Sequence, residues 1–319
     1  MTSPEPGKSA SPEMPSPVGN PPDDPRLRRI LDTACRARGL DAAGARLIHR
    51  YNNAIYLLPR AGAVARLTVA QSVDRMWATQ RAAAWLADEY GVAATRPLPA
   101  VDAVTVDDAT VGFWAYYPQP DGPRPTSAHL ARTLETLHQA EHPPVPLRRW
   151  MPLTSLSTTL AEPATAAALP EAERAWLAEH IEETRTKVNA LYWPLGIGVI
   201  HGDAWAGNLL WDSSAGHDAV VLGDWDNVCV GPREVDLIPS WHAALRYGRG
   251  RAWSDAFART YGYDLAKWSG FDTLLGMRDL VQLTGPLRRA PAEPALAAAL
   301  RQRFDAIRSG DRTGVWRAF

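Results

Sequence analysis

The stretch from Val199 to Asp226, VIHGDAWAGNLLWDSSAGHDAVVLGDWD, constrains this chain more than any other. Two short apolar runs, Val199–Ile200 and Ala219–Leu222, each lead through a glycine into an acid. The first delivers His201-Gly202-Asp203, with Asn208 five residues beyond the aspartate. The second delivers Gly223-Asp224-Trp225-Asp226. An aspartate, an amide five residues on and a second aspartate after a hairpin-length gap supply what phosphoryl transfer asks of a protein. Asp203 can accept the proton of an attacking hydroxyl, while Asn208 and Asp224 offer hard oxygens to a Mg²⁺ bridging nucleotide phosphates. Either triplet alone reads equally well as a turn cap. Both together, with Gly231-Pro232 and Asp236-Leu237 following, favour the catalytic reading. His201 is expected as a core histidine bracing the loop. Asp226 is expected to bond its own turn, the alternative being to assist the metal, and Asp236 to cap a helix beginning near Leu237.

In this order and spacing the two motifs resemble the catalytic region of aminoglycoside phosphotransferase-like kinases, relatives of choline kinases and, more remotely, of protein kinases. The resemblance extends over roughly residues 26–290 and is concentrated at 199–237. It implies an α+β, bilobal, protein-kinase-like fold with a small antiparallel β-sheet N-lobe and a mainly helical C-lobe. The expected layout is a disordered Pro-rich tail at 1–23, a nucleotide-binding N-lobe at 24–118 and a helical C-lobe at 119–319. The cofactors implied are ATP (or GTP) and Mg²⁺, and the partner a small molecule bearing a hydroxyl, antibiotic or metabolite.

Composition agrees with a globular chain and removes other classes. The 319 residues carry a net charge of −1, so no global field argues for nucleic acid or a membrane surface. Cys35 and Cys229 are the only cysteines; they cannot form a disulfide framework and lack metal-ligand spacing. No apolar run approaches the roughly 20 residues of a membrane span. A cytoplasmic protein is expected.

Asp24-Pro25 opens a helix, with the acid at the N-cap and proline at the first helical position. From Ala45 to Val69 three strands follow: ARLIHRY, AIYLL and AVARLTV. By the resemblance, Asn52-Asn53 stands where a phosphate-covering loop would lie; asparagine tolerates left-handed backbone angles. Arg66 on the third strand stands where kinases carry a phosphate-contacting lysine, and its planar fork suits phosphate. A helix over 72–90 brings Thr79-Gln80 to the place where the family usually has a glutamate. There Gln80 offers Arg66 a hydrogen bond but no ion pair. A hairpin, Ala103–Val106 and Thr110–Tyr116, runs into the expected interlobe hinge, where backbone near Tyr116 and Tyr117 would bond the nucleobase. Beyond it the pattern is helical, apart from residues 146–165, which read as irregular.

The chain from Leu237 to Phe319 holds thirteen Lys and Arg against seven Asp and Glu. A pocket for polycationic aminoglycosides should gather carboxylates, so this balance lowers aminoglycosides proper and raises neutral or amino-alcohol acceptors. Two other readings differ in class. One is a catalytically weak nucleotide-binding module, suggested by the absent helix glutamate and Gly-rich loop. The other is a metal-dependent hydrolase using His242, which lacks an H-x-H-x-D or H-E-x-x-H arrangement.

Overall fold

Asp24 caps the first helix as its sequence predicts, its carboxylate accepting from the Arg26 amide at 2.9 Å. That helix, α1 (Pro25–Ala37), opens a computed structural model that describes residues 24–50, 53–69, 71–141 and 143–317. The expected tail at 1–23 and Asn52 lie outside the described residues. Leu27, Ile30, Leu31 and Ala34, spaced along one helical face, are buried against a five-stranded antiparallel sheet.

The sheet comprises β1 (Arg46–Arg50), β2 (Ala54–Leu58), β3 (Ala63–Val69), β4 (Val104–Val106) and β5 (Ala109–Ala115), in the order β1-β2-β3-β5-β4. Period-two alternation divides β3. Ala63, Ala65 and Leu67 enter the core beneath α1, leaving Val64 and Arg66 on the opposite face. That face is covered by α2 (Val73–Glu89). Close approach is possible because Gly112, paired with Arg66 across the β3–β5 ladder, has no side chain. A Cβ there would lie 2.7 Å from Met76 Sδ.

The second lobe is mainly helical: α3 (Ser127–Leu137), α4 (Thr154–Ala161) and α5 (Glu171–Asn189), followed after the catalytic stretch by α6 (Glu234–Arg246), α7 (Arg251–Tyr261), α8 (Phe271–Val281), α9 (Thr284–Arg289) and α10 (Pro294–Ser309). Helix α4 and a 3-10 turn at Pro163–Ala168 occupy the stretch that reads as irregular. Ser and Thr are weak helix formers, so TSLSTTLA gives little local signal. Burial of Leu156, Thr159 and Leu160 against the core stabilises the helix instead.

Two short ladders lie between these helices. Strand β6 (Ile197–Ile200) pairs with β9 (Cys229–Pro232), and β7 (Leu209–Trp211) with β8 (Val220–Leu222), both antiparallel. The two apolar runs lie in different ladders, and a bond from His201 Nε2 to the Gly223 carbonyl brings their ends together. One continuous core joins α2, these ladders and helices α3 to α10. Both cysteines are buried within the protein, and burial pushes their thiols up to about 11 and about 12. Neither is a nucleophile near neutral pH. No helix among the described residues is long and apolar enough to cross a membrane.

Candidate active site

Strand β6 ends at Ile200, and the chain then turns sharply at Gly202, whose φ is +83°. A Cβ at this glycine would sit 2.3 Å from the Asn227 carbonyl oxygen, so the two loops meet here through bare backbone. Asp236 fastens the turn. Its Oδ2 accepts from the His201 amide at 2.6 Å and its Oδ1 from the Gly202 amide at 2.8 Å. The expectation that Asp236 caps a helix near Leu237 is corrected: α6 begins at Glu234, and the Asp236 carboxylate is spent on the catalytic loop. His138 Nε2, 3.2 Å from Oδ2, completes its partners.

His201 is fully buried and braces the loop, as expected of a core histidine. Its Nδ1 accepts from the Asp203 amide at 3.4 Å, leaving Nε2 to donate to the Gly223 carbonyl at 2.9 Å. Asn208 adds a second tie between the motifs. Its Nδ2 donates to the Asp203 carbonyl at 3.0 Å, and its own carbonyl accepts from the Gly223 amide at 2.8 Å. With Nδ2 so engaged, the amide Oδ1 of Asn208 is left for a ligand. Asp203, Asn208 and Asp224 thus stand on two loops locked to one another.

Arg66 reaches this site from β3. Its Nη1 is 3.1 Å from Asp224 Oδ1, and Nη2 is ion-paired to Asp226 Oδ2. The expectation that Asp226 bonds its own turn is therefore corrected: its carboxylate crosses to the sheet. Burial pushes the Asp226 carboxyl above its usual range, with Arg66 working against that shift. Its Oδ1 is sealed from solvent and has no hydrogen-bond partner. Asp224 adopts a left-handed backbone, φ 61°, which turns its side chain toward Arg66.

Gln80 differs from expectation. Its Nε2 donates to the Phe113 carbonyl on β5 at 3.0 Å, fixing α2 to the sheet, and the carboxylates opposite Arg66 come from 224 and 226. Asn53 begins the approach to β2, with Asn52 outside the described residues. In the expected hinge the Tyr116 amide donates to the Gly62 carbonyl at 3.1 Å, and the Tyr117 carbonyl accepts from Gln119 Nε2 at 2.9 Å. That leaves the Tyr116 carbonyl and the Tyr117 amide without hydrogen bonds among the described residues. The Tyr117 hydroxyl accepts from the Arg96 amide at 3.3 Å and looks into a cavity of about 790 Å³. Arg96, His129, Trp211 and Asp218 also line that cavity, and none of Arg66, Asp203, Asn208 or Asp224 does. It is separate from the paired loops.

The donor set suits Mg²⁺. Among the described residues no group of three or more His, Cys, Asp and Glu gathers as a metal site. A hard cation held by one or two carboxylates plus substrate phosphates needs no such cage. The Asn208 Oδ1, the Asp224 carboxylate and the orphaned Asp226 Oδ1 are oxygen donors of the required kind.

Three arginines at the site escape sequence reasoning. Arg278 on α8 donates from Nη1 to Asp203 Oδ1 at 2.9 Å. Arg75 on α2 donates to the Asp226 carbonyl at 3.2 Å, and Arg148 to Asn227 Oδ1 at 2.7 Å. No local motif marks them, because each arrives from a different element far away in sequence.

The model of the phosphotransferase enzyme family (APH) matches residues 81–271, more than half of the chain. No curated protein sequence matches. Among solved structures, the microcompartment-associated aminopropanol kinase superposes with a TM-score of 0.68 at 18% identity, covering 90% of this chain and 99% of that one. The aminoglycoside phosphotransferase APH(3'')-Id from Streptomyces rimosus gives 0.55 at 18% identity, covering 80% and 98%. A choline/ethanolamine kinase family protein from Mesorhizobium loti gives 0.57 at 17%, covering 88% and 94%. These neighbours share the bilobal, protein-kinase-like fold. The chain belongs to the phosphotransferase enzyme family and is a phosphotransferase.

Proposed function

We propose that this phosphotransferase is a kinase moving the γ-phosphate of ATP (or GTP) to a hydroxyl of a small molecule. The observation that carries the reading is the locked pair of loops that presents Asp203 and Asn208 beside Asp224, with Arg66 opposite. Asp203 would orient the acceptor hydroxyl and take its proton as the oxygen bonds to phosphorus. The bond from the γ-phosphorus to the bridging oxygen breaks, and its electron pair leaves on the nucleoside diphosphate. Asn208 through Oδ1 and Asp224 would hold Mg²⁺, with the sealed Asp226 Oδ1 as a further oxygen. When bound, the metal supplies neutralisation of the phosphate charge. Arg66 would turn from its carboxylates to the phosphates, and Asn52-Asn53 would cover them.

The open Tyr116 carbonyl and Tyr117 amide suit the edge of a nucleobase, offering one acceptor and one donor. Gln80 would serve indirectly, by holding α2 where Arg66 emerges. Neighbours support the nucleotide class without choosing the base: the Streptomyces rimosus enzyme is solved with ADP and streptomycin, and APH(2")-IIia with GDP and kanamycin. A cytoplasmic setting, where nucleotides abound, agrees with two buried unpaired thiols.

The test is transfer from radiolabelled ATP and GTP, with and without Mg²⁺, alongside Asp203→Ala. Loss of a positioned base costs about 10²–10⁴-fold in turnover. Nucleotide affinity should stay within about twofold of wild type, because Asp203 meets the acceptor side. A variant that turns over at the wild-type rate would sink the assignment.

A further inference from the structure

We infer that Arg278 makes the site select an acceptor carrying an anionic group, a short hydroxy acid or a phosphate ester of a short alcohol. This rests on the reading of Asp203 as the group that receives the hydroxyl. Arg278 projects from α8 with a side chain only 13% exposed and donates to Asp203 from Nη1 alone. Its Nε is sealed without a partner, and Nη2 makes no hydrogen bond among the described residues. A guanidinium whose Nη2 is uncommitted thus stands beside the group that an acceptor must reach. Such a fork takes a carboxylate or phosphate through short, charge-assisted bonds.

The side chain is held in place from behind. Asp279, its neighbour on α8, accepts from Arg246 Nε at 3.0 Å and Nη2 at 2.6 Å, and lies 3.1 Å from His242 Nε2. Arg246 in turn stacks on Trp316. With α8 clamped by this buried group, Arg278 is a fixed feature of the site.

The charges around the loops are largely committed to one another, apart from the spare donor of Arg278. Asp224 and Asp226 share the single charge of Arg66, and Asp203 is paired with Arg278. Arg75 and Arg148 donate only to neutral oxygens at 226–227, against the backbone of Gly202. Four arginines, Arg66, Arg75, Arg148 and Arg278, and four carboxylates, Asp203, Asp224, Asp226 and Asp236, thus surround the loops. An acceptor bearing an amine would face Arg278 with like charge; one bearing a carboxylate would meet its uncommitted Nη2.

The decisive experiment measures kcat/KM with glycerate and glycerol 3-phosphate against glycerol (neutral) and ethanolamine (cationic), using radiolabelled ATP and GTP and the full chain. Calorimetric binding of the same compounds in the presence of ADP and Mg²⁺ accompanies it. The wild type should bind and phosphorylate an anionic compound at least about tenfold better than its neutral and cationic counterparts. Arg278→Gln should lower kcat/KM for the anionic acceptor about 10–100-fold more than for glycerol, the difference falling chiefly on KM. Arg278→Lys should recover part of that loss. Equal or better use of ethanolamine or glycerol by the wild type overturns the inference. So does an Arg278→Gln loss that is uniform across acceptors, the mark of a merely structural role, or the absence of any preference for anions in binding and transfer. Failure of the kinase reading itself would look different: no Mg²⁺-dependent nucleotide hydrolysis, or turnover indifferent to Asp203.

Discussion

Replacing Asp236 by asparagine tests whether the catalytic loop is held from beneath. The carboxylate is fully buried and accepts two backbone N–H groups, from His201 at 2.6 Å and Gly202 at 2.8 Å. An asparagine can accept from only one of them, and its NH₂ then confronts the other donor. Hydrogen bonds to a charged group are worth about 1.5–3 kcal/mol each, and an unsatisfied buried donor adds a desolvation penalty of similar size. Relief from burying a charge offsets part of this. The net expectation is a loss of roughly 3–5 kcal/mol, which for a protein of this size lowers Tm by about 6–20 °C. The loop that relaxes carries Asp203 directly after Gly202, and a misplacement near 1 Å costs about 100-fold in rate. Thermal melts and turnover at a temperature where the variant stays folded read the two effects separately. A Tm within about 2 °C of wild type and turnover within threefold would refute the argument.

Asp224→Asn and Asn208→Ala should each raise the Mg²⁺ concentration needed for nucleotide binding, seen by titrating nucleotide at several metal concentrations; unaltered metal dependence in both would place the cation elsewhere. Gln80→Glu should destabilise by about 1–3 kcal/mol, because a carboxylate would replace the amide that donates to the Phe113 carbonyl; a raised melting temperature would show that it finds Arg66 instead. His242 should make the protein acid-labile. Burial, partly opposed by its bond to Asp279, lowers its pKa to about 4, so it is neutral when folded and takes up a proton on unfolding below its ordinary value near 6.5. Stability from this group, on the order of 3 kcal/mol, is present above about pH 6.5 and lost between there and about pH 4; melts that are flat across that window would contradict it.

Legibility in the sequence followed the range of the signal. The HGD and GD motifs, Asn208, the Asp24 cap and the three strands could be read because each is fixed by neighbours a few residues away. The partner of Arg66 could not. It lies 158 and 160 residues along the chain, and the helix position that normally supplies an acid holds Gln80. Asp236 was misread for the complementary reason: an acid at a helix start looks like a cap, and only the fold shows it turned to the loop of 201–202. Arg278 was invisible among the many arginines after Leu237. What distinguishes it is burial beside Asp203, which no local pattern encodes.

The two acids opposite Arg66 change how the missing glutamate should be understood. In the resembling kinases a helix acid orients the third-strand cation from outside the metal site. Here the orienting carboxylates are Asp224 and Asp226, the same groups proposed to face Mg²⁺. Arginine and metal are then alternative counter-ions for one pair of carboxylates. Two carboxylates that close disfavour each other's charge, which contributes to the upward pressure on Asp226. Without nucleotide, Arg66 answers that charge and keeps the pair compact. With nucleotide and Mg²⁺ bound, the phosphates would offer Arg66 another anion and the two carboxylates would be free to hold the cation. An arginine suits this exchange better than a lysine, since its fork can keep one carboxylate while releasing the other. Gln80 is then not a defect in the site, because the acid it would have supplied is already present on the loop of 224–226.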